Sequence, residues 1–180
     1  MKIVAFTGAG ISKSAGIPTF EEIEGLKESL TLEFKTEYPE EYKPIRQALV
    51  DNMKDKEPTI AHRALAEYKI PIITMNIDNL HAKAGSMLVY QIHGNYVYDN
   101  IVLYGQNILF REESINLIIQ TAKEAKKNNE KSALLVIGTS MQTVFANVLV
   151  WVAKDNGMEV HYINENADEE VPKFLKIHLN

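Results

Sequence analysis

Two polar segments of the sequence carry side chains that could take part in catalysis, and each follows a short apolar run. His93 comes after the run at 88–92, which makes its imidazole a candidate general base for a substrate hydroxyl. Asn76 and Asp78 come after the run at 70–75, and they are candidates either for ligand contact or for capping the next helix. Single residues of these types are common in proteins, so the spacing of nearby glycines is the stronger signal.

The stretch FTGAGISKSAGIPTF at 6–20 has the composition of a loop that binds phosphate. Gly8 and Gly10 follow a β-prone run, and glycine lets backbone amides approach a pyrophosphate closely. The dinucleotide fingerprint G-x-G-x-x-G requires a third glycine at position 13, where this sequence has Lys13. The two glycines alone are therefore compatible with either a non-standard phosphate loop or a tight turn.

A second glycine loop, Gly138-Thr139-Ser140, follows the apolar run at 132–137. Its backbone amides and two hydroxyls suit a phosphate or a ribose, although the same residues are also typical of a helix N-cap. Asn164 occupies the corresponding position after the next apolar run.

These residues need a scaffold, and the alternation of apolar runs with amphipathic stretches predicts an α/β fold. The expected strands are 2–6, 70–75, 88–92, 132–137 and 159–163, and the expected helices include 59–68 with Thr59 as N-cap, 113–127 and 144–155. This alternation is typical of an open parallel sheet with helices on both faces, a Rossmann-like arrangement. Ligands bind such sheets at the carboxyl ends of the strands. The candidate residues all follow predicted strands, so we expect them to converge on one edge of the sheet.

One domain is expected over residues 1–180, because the chain is long enough to bury a core and 46% of its residues are hydrophobic. The region at about 21–57 reads as a helical, partly mobile insert, in which Pro39 and Pro44 are expected to break helices. A further short apolar run at 101–104 ends at Gly105.

Composition excludes several classes of function. The formal net charge of -5 disfavours bulk binding of nucleic acid, and the sequence has no apolar run of about 18 residues that could span a membrane. These features predict a cytoplasmic protein without a membrane partner. The sequence has no cysteine and no close-spaced histidine pair, so no protein-held metal is expected. His62 and His81 lie in helical stretches and are interpreted as structural residues with satisfied hydrogen bonds.

Six segments taken together resemble one family. The segments GAGISKSAGIPTF, TMNIDNLHAKAG, QIHGN, IVLYGQ, GTSMQTVFA and INEN follow one another in the order found in the sirtuins, the NAD-dependent protein deacylases. The resemblance covers nearly the whole chain, from Lys2 to about Asn166. It implies a variant Rossmann domain that binds NAD at the carboxyl edge of the sheet.

The resemblance also implies roles for individual residues. Those expected to contact NAD are Gly8, Ala9, Gly10, Ser12, Phe20, Asn76, Ile77, Asp78, Gly138, Thr139, Ser140 and Asn164, with Asn76, Ile77 and Asp78 forming the nicotinamide pocket. Asn76 and Asp78 are counted with His93 as the catalytic residues, and His93 is the expected general base on the nicotinamide ribose. Val102, Leu103, Tyr104 and Gly105 are expected to line the acyl-lysine channel, where an extended peptide adds as a strand. The implied products are deacylated lysine, nicotinamide and O-acyl-ADP-ribose.

The sequence departs from the family pattern at several places. The two C-x-x-C pairs that hold a structural zinc in typical members are missing, since only residues 94–103 separate His93 from Tyr104. Thr19 and Glu21 stand in place of an aspartate and a cofactor-facing arginine, and the C-terminal helix is expected to be truncated. Met75, Gln106 and Phe145 are further replacements. These departures leave two alternatives open: an NAD glycohydrolase or ADP-ribosyltransferase, and a module that binds NAD or ADP-ribose without catalysis.

Overall fold

The computed structural model describes residues 1–19 and 22–179, and its centre is a sheet of five parallel strands. The strands are β1 (Lys2–Thr7), β2 (Ile72–Thr74), β3 (Val89–Gln91), β4 (Ser132–Ile137) and β5 (Glu159–Ile163). They lie in the order β3-β2-β1-β4-β5, and every neighbouring pair is parallel. The predicted open parallel sheet is therefore confirmed.

Helices occupy most of the remaining chain. They are α1 (Leu26–Ser29), α2 (Leu32–Glu37), α3 (Pro39–Asp51), α4 (Ile60–Glu67), α5 (Leu80–Lys83), α6 (Arg111–Lys127), α7 (Val144–Asp155) and α8 (Ala167–Leu179), with 3-10 helices at Ala9–Ala15 and Tyr96–Tyr98. The side chain of Thr59 accepts a hydrogen bond from the His62 amide, so Thr59 is the N-cap of α4 as predicted.

The sheet is covered on both faces because the side chains of a strand point alternately to opposite sides. From β1, Val4 and Phe6 pack with residues of α6 and α7 on one face. Ile3 and Ala5 pack with residues of α4 and α8 on the other. Four of these side chains are at most 4% exposed, as expected for a strand buried on both faces.

A third apolar cluster lies beside the sheet and is built mainly from the predicted helical insert. Leu26, Leu30, Tyr42, Leu49 and Met53 pack there with Ile77, Leu80 and Leu103. The loops that follow β2 and β3 are thereby packed against α1 and α3.

One local prediction from the sequence was wrong. Pro44 lies inside α3 rather than ending it, and its exposed position lets water satisfy the carbonyl that loses its amide partner. The apolar run at 101–104, to which the sequence assigned no structure, forms a single parallel bridge between Tyr104 and Thr31 and does not join the five-stranded sheet. The C-terminal segment, where a shortened helix was expected, forms the 13-residue helix α8.

The order of the strands places a switch point between β1 and β4. From β1 the chain continues to β2 and β3 on one side, and it then returns to β4 and β5 on the other. The loops that follow β1 and β4 separate at this point and leave a crevice, which is where open α/β sheets bind ligands. Within the described ranges, no helix is both long and apolar enough to cross a membrane.

Candidate active site

A cavity of about 950 Å³ opens at the carboxyl edge of the sheet. The predicted site residues in its lining are Ala9, Gly10, Asn76, Ile77, His93, Val102, Leu103, Tyr104, Gly105, Gly138, Thr139, Ser140 and Asn164. Ser12 and Asp78 line a small adjoining pocket that shares Ala9, Asn76 and Ile77 with the cavity. Gly8 packs against the second glycine loop, and Phe20 lies outside the described residues.

The two glycine loops pack against each other at the switch point. The Gly10 amide donates to the carbonyl of Gly138 at 2.8 Å, and the Gly8 amide donates to the Ile137 carbonyl at 2.9 Å. A Cβ atom at Gly10 would lie 2.6 Å from the Gly138 Cα, and one at Gly8 would lie 2.8 Å from the Gly138 oxygen. The glycines are therefore required by the close approach of two backbones.

Gly138 has a second reason to be glycine. Its φ of +60° is a left-handed conformation, and a Cβ there would lie 2.4 Å from the amide nitrogen of Ile11. Beyond it, the Thr139 amide donates to the Asn164 side-chain oxygen at 3.2 Å, which joins the loops after β4 and β5.

Ser12, Asn76 and Asp78 form a buried hydrogen-bonded group below the cavity. The Ser12 hydroxyl donates to Asp78 Oδ2 at 2.6 Å, and Asn76 Nδ2 donates to both Ser12 Oγ and Asp78 Oδ2, at 3.1 and 3.2 Å. Asp78 Oδ1 accepts the Leu80 amide at 3.0 Å, at the start of α5. A carboxylate has about four acceptor positions, so Oδ1 retains one for a ligand. Asp78 therefore fills the capping role at the start of α5, and its contact with a ligand stays a prediction.

His93 lies on the cavity wall, just beyond the end of β3. A hydrogen bond from its ring to the Met75 carbonyl orients the imidazole, and the His93 carbonyl accepts the Val102 amide at 2.9 Å. Burial lowers the pKa of His93 from its ordinary value, and this effect of burial is larger than the opposing effect of the hydrogen bond to the Met75 carbonyl. His93 is therefore neutral at pH 7, and its second ring nitrogen can accept a proton.

Three cationic residues that were not predicted as site residues also line the cavity: Lys13, Lys27 and Arg111. Lys13 Nζ pairs with Glu22 at 2.7 Å, and Lys27 Nζ donates to the Gln142 side chain across the cavity at 3.1 Å. The Arg111 guanidinium lies over the Phe145 ring, 5.3 Å from its centroid. No sequence motif marks Lys27 or Arg111, because only the fold brings α1 and α6 to the edge where the glycine loops lie.

His62 and His81 form a buried pair behind the site, with ring centroids 4.5 Å apart. His62 Nδ1 is bonded to the Thr59 hydroxyl at 2.7 Å, and His81 Nε2 is bonded to the Thr7 hydroxyl at 2.9 Å. Within the described part of the chain, His62 Nε2 and His81 Nδ1 have no hydrogen-bond partner. The predicted satisfaction of these histidines thus holds for only one nitrogen of each ring.

Among the residues that the structure describes, no group of three or more histidine, aspartate or glutamate side chains could hold a metal ion.

Comparisons with known proteins agree with this geometry. The model of the Sir2 family matches residues 8–100. The chain is 30% identical to an NAD-dependent protein deacylase of Thermococcus sibiricus, with 94% of this chain and 83% of that protein covered. It is 28% identical to an NAD-dependent protein deacetylase of Sulfolobus acidocaldarius, with 94% and 80% covered.

Solved structures give the same result for the fold. A complex of a Sir2 homolog with NAD matches with a TM-score of 0.80 at 21% identity, over 98% of this chain and 88% of that one. A Sir2 protein bound to acetylated peptide matches with a TM-score of 0.79 at 22% identity, over 98% and 92%. At these identities the likeness shows a shared fold, while the family model and the T. sibiricus relative establish descent. The chain belongs to the Sir2 family.

Proposed function

We propose that this protein is an NAD-dependent protein-lysine deacylase that releases nicotinamide and O-acyl-ADP-ribose. The observation that carries the proposal is the neutral, oriented imidazole of His93, which shares one cavity with both glycine loops and Asn76. The names of the two relatives supply the reaction class.

The glycine loops fit the phosphates of NAD. They pack so closely that a Cβ at Gly8, Gly10 or Gly138 would collide with backbone or Cβ atoms of the facing loop. The start of α7 also lies at this cavity, since Thr143 and Val144 line it, and the N-terminus of a helix favours anions. Lys27 lines the same cavity with its amine on the neutral Gln142 side chain, so it supplies a positive charge where the family arginine at position 21 is missing, whereas the charge of Lys13 is matched by Glu22. We assign the pyrophosphate to Ala9, Gly10, Thr139 and Ser140, and the adenosine ribose to Asn164.

The nicotinamide end would lie against Asn76, Ile77 and Asp78. Asn76 uses its amide protons on Ser12 and Asp78, so its side-chain carbonyl is the atom that it can offer to a ligand. Asp78 Oδ1 has the remaining acceptor position for a carboxamide N–H. Ile77 is 4% exposed and contributes an apolar surface that limits water near the reacting bond.

His93 would act as the general base. Bound NAD supplies a ribose carbon that becomes electrophilic when nicotinamide departs, and a ribose hydroxyl whose proton must be removed. His93 donates one ring N–H to Met75, so its other nitrogen can take that proton. Val102, Leu103, Tyr104 and Gly105 line the cavity and are proposed as the wall for the acyl-lysine. The cytoplasmic location stays a prediction.

A second candidate is an NAD glycohydrolase, in which water rather than an acyl-lysine captures the ribose. The observation that favours it is the hydrogen bonding of the peptide wall: the Tyr104 amide and carbonyl are already bonded to Leu30 and Leu32. A wall whose backbone amide and carbonyl groups already bond to the protein offers fewer hydrogen bonds to a substrate peptide.

One experiment separates the two functions. The protein is incubated with NAD, with and without acetyl-lysine peptides, and the products are identified by mass spectrometry. A deacylase releases nicotinamide and O-acetyl-ADP-ribose only when peptide is present, whereas a glycohydrolase releases free ADP-ribose in both samples.

His93→Ala should lower the rate of deacylation at least about 100-fold, because general bases typically contribute a factor of about 10² to 10⁴. His161→Ala, on β5 beside Glu159, is the matched control and should retain activity. Peptide-independent ADP-ribose as the product would rule out the deacylase.

A further inference from the structure

The segment Val102–Gly105 has both of its backbone edges engaged near Leu103 and Tyr104. In an extended chain, the polar groups of successive residues point to opposite sides. On one side, the Tyr104 amide donates to the Leu30 carbonyl at 2.9 Å, and the Leu32 amide donates to the Tyr104 carbonyl at 3.0 Å. This is the pattern of a parallel bridge with the chain's own residues around Thr31.

On the other side, Gln106 bonds to both backbone polar groups of Leu103. The Leu103 backbone amide donates to the side-chain oxygen Oε1 of Gln106 at 2.8 Å, and the backbone amide of Gln106 donates to the Leu103 carbonyl at 3.0 Å. The side-chain amide of Gln106 thus takes the position of a neighbouring strand's carbonyl. We call this pair of bonds the Gln106 cap.

The Gln106 side chain can leave the Leu103 amide without disturbing the packing of the wall. Gln106 is exposed and lines the cavity, and its side chain is long and flexible. The Leu103 side chain, in contrast, is 3% exposed and anchored in the cluster with Ile77 and Leu80. The Leu103 amide is therefore held at the cavity wall by its own packing, whether or not Gln106 bonds to it.

We propose that Gln106 sets the affinity for the peptide substrate by competing with the peptide backbone for the Leu103 amide. This inference rests on the proposed function, since it assumes that an acyl-lysine peptide enters along the wall at Val102–Gly105. Binding replaces the bond to Gln106 Oε1 by a bond to a peptide carbonyl, and the Gln106 side chain moves into solvent. Gln106 is thus an affinity-determining residue and takes no part in the chemical step.

The test measures peptide affinity in two opposite variants. The probe is a fluorescently labelled, otherwise uncharged peptide with one acetyl-lysine, titrated in the presence of ADP-ribose. Gln106→Ala removes the competitor and should tighten binding about 3- to 10-fold, as expected for one hydrogen bond. Gln106→Glu places a charged acceptor on the Leu103 amide and should weaken binding by a similar factor. The matched control is Asn107→Asp, which introduces the same charge one residue away and should change affinity less than twofold.

Amide hydrogen exchange provides a second readout. Exchange at Leu103 in the free protein should be faster in Gln106→Ala than in the wild type, and peptide should slow it in both. NAD affinity should be the same in the wild type and in Gln106→Ala, because the side-chain bond that this variant removes goes to the Leu103 amide and not to a glycine loop.

Specific results would overturn the inference. It fails if Gln106→Ala and Gln106→Glu bind the peptide equally, if neither binds it, or if Leu103 exchange does not respond to Gln106→Ala. If the protein deacylates peptides but its peptide affinity does not change with the residue at position 106, the competition by Gln106 is refuted and the proposed function is retained. If the two variants shift the peptide affinity in opposite directions but no nicotinamide is released, the proposed function is refuted and the competition by Gln106 is retained.

Discussion

Ser12 connects the first glycine loop to the residues proposed for nicotinamide. Its side chain is fully buried, donates to Asp78 Oδ2 and accepts from Asn76 Nδ2. Each of these three side chains therefore depends on the other two for its orientation. Sequence similarity alone assigns Ser12 to the cofactor, whereas the hydrogen bonds give it a positioning role for Asn76 and Asp78.

Ser12→Ala should destabilise the protein by about 1–3 kcal/mol, because Asp78 loses a buried donor that water cannot replace. Urea unfolding measures this difference. The control is Ser14→Ala, which removes a hydroxyl bonded at the same 2.6 Å distance to Asp168 in an exposed setting and should cost less than about 1 kcal/mol. Equal losses in the two variants would contradict the buried network.

At the scale of elements, the loops after β1 and β4 act as one unit. Neither loop has a standard dinucleotide fingerprint, and the two are held together by the hydrogen bond and close backbone contact between Gly10 and Gly138. The position of Lys13 where that fingerprint has glycine follows from this arrangement. Residues 9–15 form a 3-10 helix, and the close approach that a third glycine would serve takes place at Gly138 instead.

Gly10→Ala should weaken NAD binding at least about tenfold, because the loops must separate to remove a contact of 2.6 Å with the Gly138 Cα. Isothermal titration with NAD and with ADP-ribose measures the effect. Gly85→Ala serves as the control: at φ +89° it is strained, but a Cβ there meets open space, so NAD affinity should be unchanged. Unchanged affinity in Gly10→Ala would show that the phosphates do not lie between these loops.

The buried pair of His62 and His81 joins α4 to α5 behind the site and predicts sensitivity to acid. Burial lowers the pKa of both rings below the ordinary 6.5, although nearby Asp78 and Asp168 partly oppose this for His62. Between the folded and unfolded pKa values the unfolded chain binds more protons, so stability is full above about pH 6.5 and falls as the pH decreases. The loss should be on the order of 1 kcal/mol or more between pH 7 and 5. His62→Gln should reduce this slope in urea unfolding at a series of pH values, and a slope equal to that of the wild type would disprove the assignment.

At the scale of the whole molecule, α8 completes the layer that covers one face of the sheet. Val171 and Leu175 are fully buried against the cluster that contains Ile3, Ala5 and Leu65. Asp168, in the first turn of α8, accepts hydrogen bonds from the Ser14 hydroxyl and the Ala61 amide. The C-terminal helix is thereby attached both to the sheet and to the 3-10 helix that follows the first glycine loop.

Leu175→Ala should lower the free energy of unfolding by about 2–5 kcal/mol, the usual result of a cavity at a fully buried leucine. Ile177→Ala, two residues away and 64% exposed, is the matched control and should change stability by less than about 0.5 kcal/mol. Thermal and urea unfolding measure both. Similar values for the two variants would mean that α8 is not docked on this face.

The sequence by itself determined the parallel sheet, the capped helix α4, the two glycine loops and the residues of the Sir2 family motifs. These features depend on short-range patterns: apolar runs of strand length, a threonine before a helix, glycines after a strand. The contacts that those residues make depend on how distant segments pack together in the folded chain. No local pattern specifies that the Lys27 amine reaches across the cavity, or that a Cβ at Gly10 would collide with Gly138, because these contacts join distant segments. The bond from the Leu103 amide to the Gln106 side chain joins nearby residues, but it depends on the direction in which the backbone of Leu103 points. The apolar run at 101–104 shows the same limit, because its backbone hydrogen bonds go to Leu30, Leu32 and Gln106 rather than to the sheet, and its own sequence does not specify these partners.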